Sequence, residues 1–274
     1  IYGIFNGTSN YILSSMDKNE LSFKNSLSDA QKLGYAESNP FDDISGEDVS
    51  SKLKILSSLA FNSYINKNIF VEGIKKVDKE DITNANKLGY KIKLIGASEL
   101  INKKVIQRVH PCLIKKDSYI ATVDGILNTV IVEGNPVGKS TLQGEGAGAE
   151  ATTSALISDI SSILRGNIKY PFSISDKERQ TLKSSSMMEQ IFSAYMRIDV
   201  FDKPGVLSNI TNIFSKNKIS IKRLIQNPIK SKNYASIIIV THKTRDKYLT
   251  KSINELSKKN YILNKPKLLR IEDN

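Results

Sequence analysis

"AYMRIDVFDKPGVLSNITNIFSKNKISIKRLIQNP", residues 194–228, sets the fold of the last third of the chain. Apolar and charged residues alternate from Met196 to Val200, the pattern of a half-buried strand. Lys203-Pro204-Gly205 is a turn. Val206, Leu207, Ile210, Ile213 and Phe214 recur at helical spacing. A β-branched run from Ile219 then returns to strand. Further on come a strand, "YASIIIVTH" (234–242), a helix, "DKYLTKSINELSKK" (246–259), and a strand, "YILNKPKLLRIE" (261–272). The order is βαββαβ, a ferredoxin-like unit.

Upstream, residues 171–190 are polar and poorly periodic, which predicts a linker. The expected division is 1–170 for one domain, 171–192 for the linker and 193–274 for the second domain. Within the first domain, "SNYILSSM" (9–16) and "FKNSLSDAQKLGY" (23–35) have helical spacing, with Gly34 at the end of the second helix. "GEDVSSKLKILSSLAF" (46–61) predicts a strong helix whose apolar face is Val49, Leu53, Leu56, Leu59 and Ala60. Acids fill its first turn, where the helix dipole favours them. From residue 90 the texture changes to short β-branched segments, "YKIKLIGASEL", "KKVIQRVHP", "GILNTVIVEG" and "PVGKSTLQG", which predict a sheet. "AEATTSALISDISSILRG" (149–166) is a helix ending at Gly166. The expected fold class is α+β: a mixed β-sheet with helices, then a ferredoxin-like βαββαβ domain.

Composition bounds the function. The chain has 274 residues, 39% hydrophobic and 25% charged, within the range of globular proteins. No apolar run approaches the roughly 18 residues of a membrane span. The start, "IYGIFNGTSNYIL", has no secretory pattern and no Met, and is read as the start of a fragment. One cysteine, Cys112, excludes an internal disulfide, and two distant histidines, His110 and His242, argue against a zinc site. The expected compartment is the cytoplasm. Residues 1–190 carry 23 basic and 22 acidic side chains, whereas residues 191–274 carry 17 and 6, so nearly all of the net +12 lies in the last third. That asymmetry raises nucleic acid as a partner. Scattered lysines with few aromatics among them argue instead for a solvated basic surface.

"GYAESNPFDDISGEDVSSK" (34–52) places five carboxylates, Glu37, Asp42, Asp43, Glu47 and Asp48, within twelve positions, closed by Lys52. Asp48 and Lys52 are spaced i,i+4 with the acid first, the favourable order for a helical ion pair. Three readings are open: a surface salt bridge, a magnesium site of hard oxygen ligands, or a site for a cationic substrate group. In the last, the lysine can donate a proton to a developing alkoxide. "GEGAGAEA" (144–151) fits G-x-G-x-x-A ahead of a helix, a weak dinucleotide signal without a clear βαβ unit around it. A helix N-terminus there can receive an anion, or the turn can be a close-packed helix start.

These motifs carry a resemblance. "GIFNGTSNYIL" (3–13), "AQKLGYAESNPFDDISGEDVSSKLKIL" (30–56), "VEGI" (71–74), "KLGYKIKLIG" (87–96), "RVHP" (108–111) and "GEGAGAEATTSALISDI" (144–160) occur in the order of the catalytic core of the homoserine dehydrogenase family. The resemblance implies NADPH- or NADH-dependent reduction of aspartate 4-semialdehyde to homoserine, on the route to threonine, methionine and isoleucine. It implies Lys52 as general acid/base, and Glu37 and Asp48 as substrate ligands, Glu37 at the ammonium end. Asp43 would support them, and Gly7, Thr8 and Tyr35 would line the pocket. Gly144, Gly146 and Ala147 become expected cofactor contacts; no metal ligand is expected within residues 1–274, since the family's sodium-binding segment and a second catalytic lysine would precede residue 1. The family's nucleotide-binding domain would precede residue 1. Without it, the fragment alone is expected to be inactive.

"RIDVFDKPGVLSNITNIFSKNKISIKRLIQ" (197–226) resembles the opening of an ACT domain, a βαββαβ amino-acid sensor. The resemblance implies threonine as effector, with Asp202, Gly205, Asn209, Ile219 and Gln226 as contacts, and a homodimer or homotetramer. The alternative is a non-enzymatic amino-acid-sensing or nucleic-acid-binding protein of the same domains. The absence of an aromatic RNP1-like pattern counts against RNA.

Overall fold

The computed structural model describes residues 1–64, 69–229 and 233–273. The chain forms two compact units, one of residues 1–111 and 115–185, the other of residues 112–114 and 186–274.

The first unit begins with β1 (Tyr2–Ile4), α1 (Gly7–Lys18), α2 (Phe23–Lys32), α3 (Phe41–Ser45) and α4 (Glu47–Phe61). It continues with β2 (Phe70–Val71), α5 (Lys79–Lys87), β3 (Tyr90–Ile101), β4 (Lys104–Lys115), β5 (Leu127–Gly134), β6 (Gly138–Glu145), α6 (Ala149–Leu164) and β7 (Lys183–Ser184). Its strands run in the order β6-β5-β1-β3-β4, with β2 and β7 beside β4. Short β1 is the centre strand, paired antiparallel to β3 and to β5. Gly3 is required there, because a Cβ would lie 2.0 Å from the Thr129 carbonyl oxygen. Gly34, with φ +75°, follows α2 in the left-handed conformation expected after a helix.

α4 departs from its expected face. Val49 and Leu53 are fully buried, but Leu59 and Ala60 are exposed, and the rest of the buried face is Ser50, Ser57 and Ser58. The reason is close approach to β3. A Cβ on Gly96 would fall 3.0 Å from Val49 Cγ1, and Ser57 Oγ sits 2.8 Å from Ser98 Oγ. Small residues, Gly96, Ser57 and Ser98, meet along that seam, and Leu59 lies outside it, exposed. The stretch 171–185 lies against this unit. Arg179 stacks 4.1 Å from the Phe172 ring and 4.6 Å from the Tyr64 ring, and donates to the Ser63 carbonyl at 2.8 Å. α6 ends as expected before Gly166, which has φ +78°, but it buries no residue. Leu156, Ile160 and Ile163 form an exposed stripe at i, i+4, i+7.

The second unit contains β8 (Ile191–Phe201), α7 (Val206–Lys216), β9 (Ile221–Ile229), β10 (Tyr234–Thr241), β11 (Thr244–Arg245), α8 (Asp246–Leu256) and β12 (Lys267–Glu272). The four long strands run β12-β8-β10-β9, the ferredoxin-like order expected from the βαββαβ pattern. Ile198, Ile237 and Ile239 on the strands and Ile210, Phe214 and Leu249 on the helices fill its core. A buried pair, Arg270 Nε to Asp246 Oδ1 at 2.6 Å, joins β12 to the start of α8.

Candidate active site

The acidic cluster is organised from the start of α1. Asn6 caps that helix: its side-chain oxygen accepts the Ser9 N–H at 2.7 Å. Its amide nitrogen donates to Asp43 Oδ1 at 2.6 Å and to Asp48 Oδ2 at 2.8 Å. Asp43 lies on α3 and Asp48 on α4, separated by Gly46 in the left-handed conformation, φ +89°. Lys52, one turn after Asp48, donates to Asp48 Oδ2 at 2.8 Å and to the Phe5 carbonyl at 3.0 Å. The lysine side chain is 43% exposed, so this ion pair adds little to stability. Its geometry instead holds an ammonium at the open end of a two-carboxylate site.

Asp43, Asp48 and Lys52 are therefore brought together. Thr8 and Tyr35 meet next to them: Thr8 Oγ1 donates to the Tyr35 carbonyl at 2.6 Å, and the Tyr35 ring lies 5.0 Å from that of Tyr11. Gly7 needs its missing side chain, since a Cβ would lie 2.6 Å from the Ile126 carbonyl oxygen. Glu37 is not gathered in. Its side chain is exposed and, among the described residues, makes no hydrogen bond or ion pair, although its carbonyl accepts from Gln31 Nε2 at 3.0 Å. Asp42 and Glu47 are exposed as well. Among the described residues, no group of three or more His, Cys, Asp or Glu is arranged to hold a metal ion.

The glycine turn approaches the same centre. Gly144, Gly146 and Ala147 are exposed. A Cβ on Gly146 would fall 1.8 Å from Asn128 Nδ2, an atom that reaches the Phe5 carbonyl at 3.4 Å. Lys52 binds that same carbonyl, so two residues, Asn128 and Phe5, stand between the turn and the lysine.

α1 is held from below by a buried lysine. Lys93 on β3 donates to Asn10 Oδ1 at 3.0 Å, the Val123 carbonyl at 2.6 Å and Asp124 Oδ1 at 2.8 Å. Burial pushes the Lys93 ammonium pKa down, against the hydrogen bond and charge of Asp124. Burial would raise the Asp124 carboxyl, but hydrogen bonds and charge from Lys93, aided by Lys91 and Lys18, outweigh it and hold the group well below the usual carboxylate range.

Asn6, Phe5 and Asn128 are absent from the sequence-based site. Asn6 was open to reading as a cap ahead of α1. Its bonds to carboxylates 37 and 42 residues away were not.

In the second unit, a cavity of about 400 Å³ is lined by Asp202, Lys203, Gly205, Val206, Gln226 and Ile237, among others. Gln226 Nε2 donates to Asp202 Oδ1 at 3.1 Å. Three expected effector contacts, Asp202, Gly205 and Gln226, thus share one cavity. Asn209 and Ile219 do not line it: Asn209 is exposed on α7, and Ile219 is buried after that helix.

Residues 194–258 match the family model of the ACT domain. The chain is therefore of the class that joins a mixed α/β domain to a βαββαβ ACT domain. Residues 1–161 match the family model described as homoserine dehydrogenase, and the chain belongs to that family. It is 40% identical over 272 residues to a homoserine dehydrogenase of Helicobacter pylori, covering 99% of this chain and 64% of that protein. It is 38% identical over 260 residues to one of Neisseria gonorrhoeae, covering 92% and 60%. A crystal structure of a homoserine dehydrogenase from Thiobacillus denitrificans superposes with a TM-score of 0.91 at 36% identity, over 99% of this chain and 63% of that one. The chain thus spans less than two thirds of the length of these relatives.

Proposed function

We propose that this chain carries the substrate-binding and proton-transfer part of a homoserine dehydrogenase, interconverting L-aspartate 4-semialdehyde and L-homoserine with NADP or NAD. The observation that carries the reading is Lys52 Nζ held 2.8 Å from Asp48 Oδ2 and 3.0 Å from the Phe5 carbonyl, beside Asp43. In the reducing direction Lys52 gives a proton to the oxygen of the nascent alcohol; in the oxidising direction it takes one back. Asp48 and Glu37 bind the substrate, Glu37 at its ammonium end, and Asp43 supports Asp48. Gly7, Thr8 and Tyr35 line the pocket.

The bound nicotinamide supplies or accepts the hydride. The residues present fit one edge of its site. A Cβ on Gly144 would meet nothing within 4 Å, which leaves open backbone, and α6 begins at Gly148 without a side-chain cap. The free N–H groups of that helix start favour an anionic group. Gly144, Gly146 and Ala147 are the contacts, and the part of the relatives that this chain does not span supplies the nucleotide-binding domain.

Residues 1–170 form the substrate domain, 171–192 the linker and 193–274 the regulatory domain. Threonine is the proposed effector, its ammonium at Asp202 and its carboxylate at the start of α7. A homodimer or homotetramer covers the exposed apolar stripe of α6, and the enzyme works in the cytoplasm. Among the described residues, no helix is long and apolar enough to cross a membrane.

The test is homoserine oxidation by the full-length protein, followed by formation of reduced nicotinamide, with and without threonine. Turnover abolished by Lys52→Ala supports the reading. A correctly folded full-length protein that binds threonine but turns over nothing leaves amino-acid sensing as the function.

A further inference from the structure

We propose that Asn6 is a positioning residue for the proton-donating lysine: its one amide nitrogen ties Asp43 to Asp48 and so fixes which oxygen of Asp48 meets Lys52. The inference rests on the functional reading above. Asn6 is 4% exposed, and its amide orientation is set by the Ser9 N–H on its oxygen. Both amide hydrogens are then committed, one to each carboxylate. Asp48 Oδ2 accepts from Asn6 and from Lys52, each at 2.8 Å. Asp48 Oδ1 and Asp43 Oδ2 accept nothing among the described residues. The charged groups at the amide are Asp43 on α3 and Asp48 and Lys52 on α4.

A neutral donor has a specific effect here. It draws two carboxylates together without cancelling their charge, which an arginine or lysine in its place would do. Lys52 offsets one charge, and one oxygen of each carboxylate is left for polar groups of the substrate. The device thus keeps a net negative charge beside the substrate and orients the proton donor through one side chain.

Asn6→Asp and Asn6→Ser test this, because both replacements cap helices about as well as Asn and keep the start of α1. Both should keep the native circular dichroism. Asn6→Asp should lower kcat/KM for homoserine by about 10²-fold or more, the scale of losing a pre-organised donor. In Asn6→Ser, kcat for homoserine oxidation should fall about tenfold or more while KM moves much less, because the proton donor loses its fixed partner oxygen and the carboxylates keep their charge. A crystal structure of Asn6→Ser should show Asp43 and Asp48 parted and Lys52 no longer held on Asp48 Oδ2. Native kinetics and a native Asp48–Lys52 contact in both capped variants would overturn the proposal and leave Asn6 a helix cap. If unaltered protein oxidises no homoserine, the functional reading fails, and the crystal structure still decides the role of Asn6.

Discussion

Gly146 and Asn128 touch so closely that a single methyl group on the glycine would overlap the amide, 1.8 Å from Nδ2. Asn128 contacts the Phe5 carbonyl that anchors Lys52. Gly146→Ala must therefore displace the amide or the turn, at a cost of about 1–3 kcal/mol for overpacking. Its kcat/KM with NADPH should fall at least tenfold, while threonine binding, measured by calorimetry, stays native. An unchanged kcat/KM would separate the turn from the lysine.

Lys52→Ala should lower kcat for homoserine oxidation by roughly 10² or more, the scale of losing a general acid or base. The KM should move much less, because Asp43 and Asp48 remain. Steady-state kinetics at saturating cofactor give the comparison, and a kcat within about threefold of native would remove Lys52 from its role.

Thr8 ties the loop carrying Tyr35 and Glu37 to α1 through its 2.6 Å bond to the Tyr35 carbonyl. Thr8→Val keeps the shape and removes the bond. The loop that would bring Glu37 to the substrate is then no longer fastened, and the KM for homoserine should rise several-fold with kcat little changed. Glu37→Gln should raise the same KM, and the double variant should add little, since both act on one contact.

Asp124 neutralises the buried ammonium of Lys93 at 2.8 Å. Asp124→Asn removes the carboxylate bonded to that ammonium, which costs about 3–5 kcal/mol when a buried pair is broken from one side. The pH dependence has a defined sign. The folded pKa of Asp124 lies below its ordinary value of 3.8, so the unfolded chain binds more protons in acid. Stability from this group is complete above that value and is lost as pH falls below it. Urea midpoints from about pH 6 to pH 2.5 should fall in the native protein, and less steeply in Asp124→Asn.

The 274-residue polypeptide contains only one glycine-rich turn of the dinucleotide type. Doubly wound domains bind the pyrophosphate on such a turn after a strand and the ribose on a downstream acid. This polypeptide alone should bind NADPH with a Kd of about a millimolar or weaker, roughly 4 kcal/mol of binding at most. Calorimetry that returns micromolar affinity would refute this.

Local patterns were legible in the sequence and long-range ones were not. The βαββαβ unit was readable because Val206, Ile210, Ile213 and Phe214 repeat at helical spacing between clear strands. The Asp48–Lys52 pair was readable because one helical turn separates them. Asn6 was invisible as a partner of Asp43, since their contact depends on how α1 packs over α3. Leu59 and Ala60 were misplaced because helical spacing marks a face without saying which of its residues the rest of the fold covers. Asn209 and Ile219 followed the resemblance rather than a pattern, and neither lines the cavity.

α6 has a kinetic consequence. A helix of sixteen residues that buries no side chain rests on its own backbone bonds, and such helices are marginal in water. In the dissociated chain its amides should exchange with deuterium at near helix–coil rates, while those of α4 over Val49 and Leu53 stay protected. Whatever covers Leu156, Ile160 and Ile163 also fastens the Gly144–Gly148 turn at the head of the same helix. Association and nucleotide affinity then become linked equilibria, and diluting the protein should weaken cofactor binding with no change in any residue that touches the cofactor.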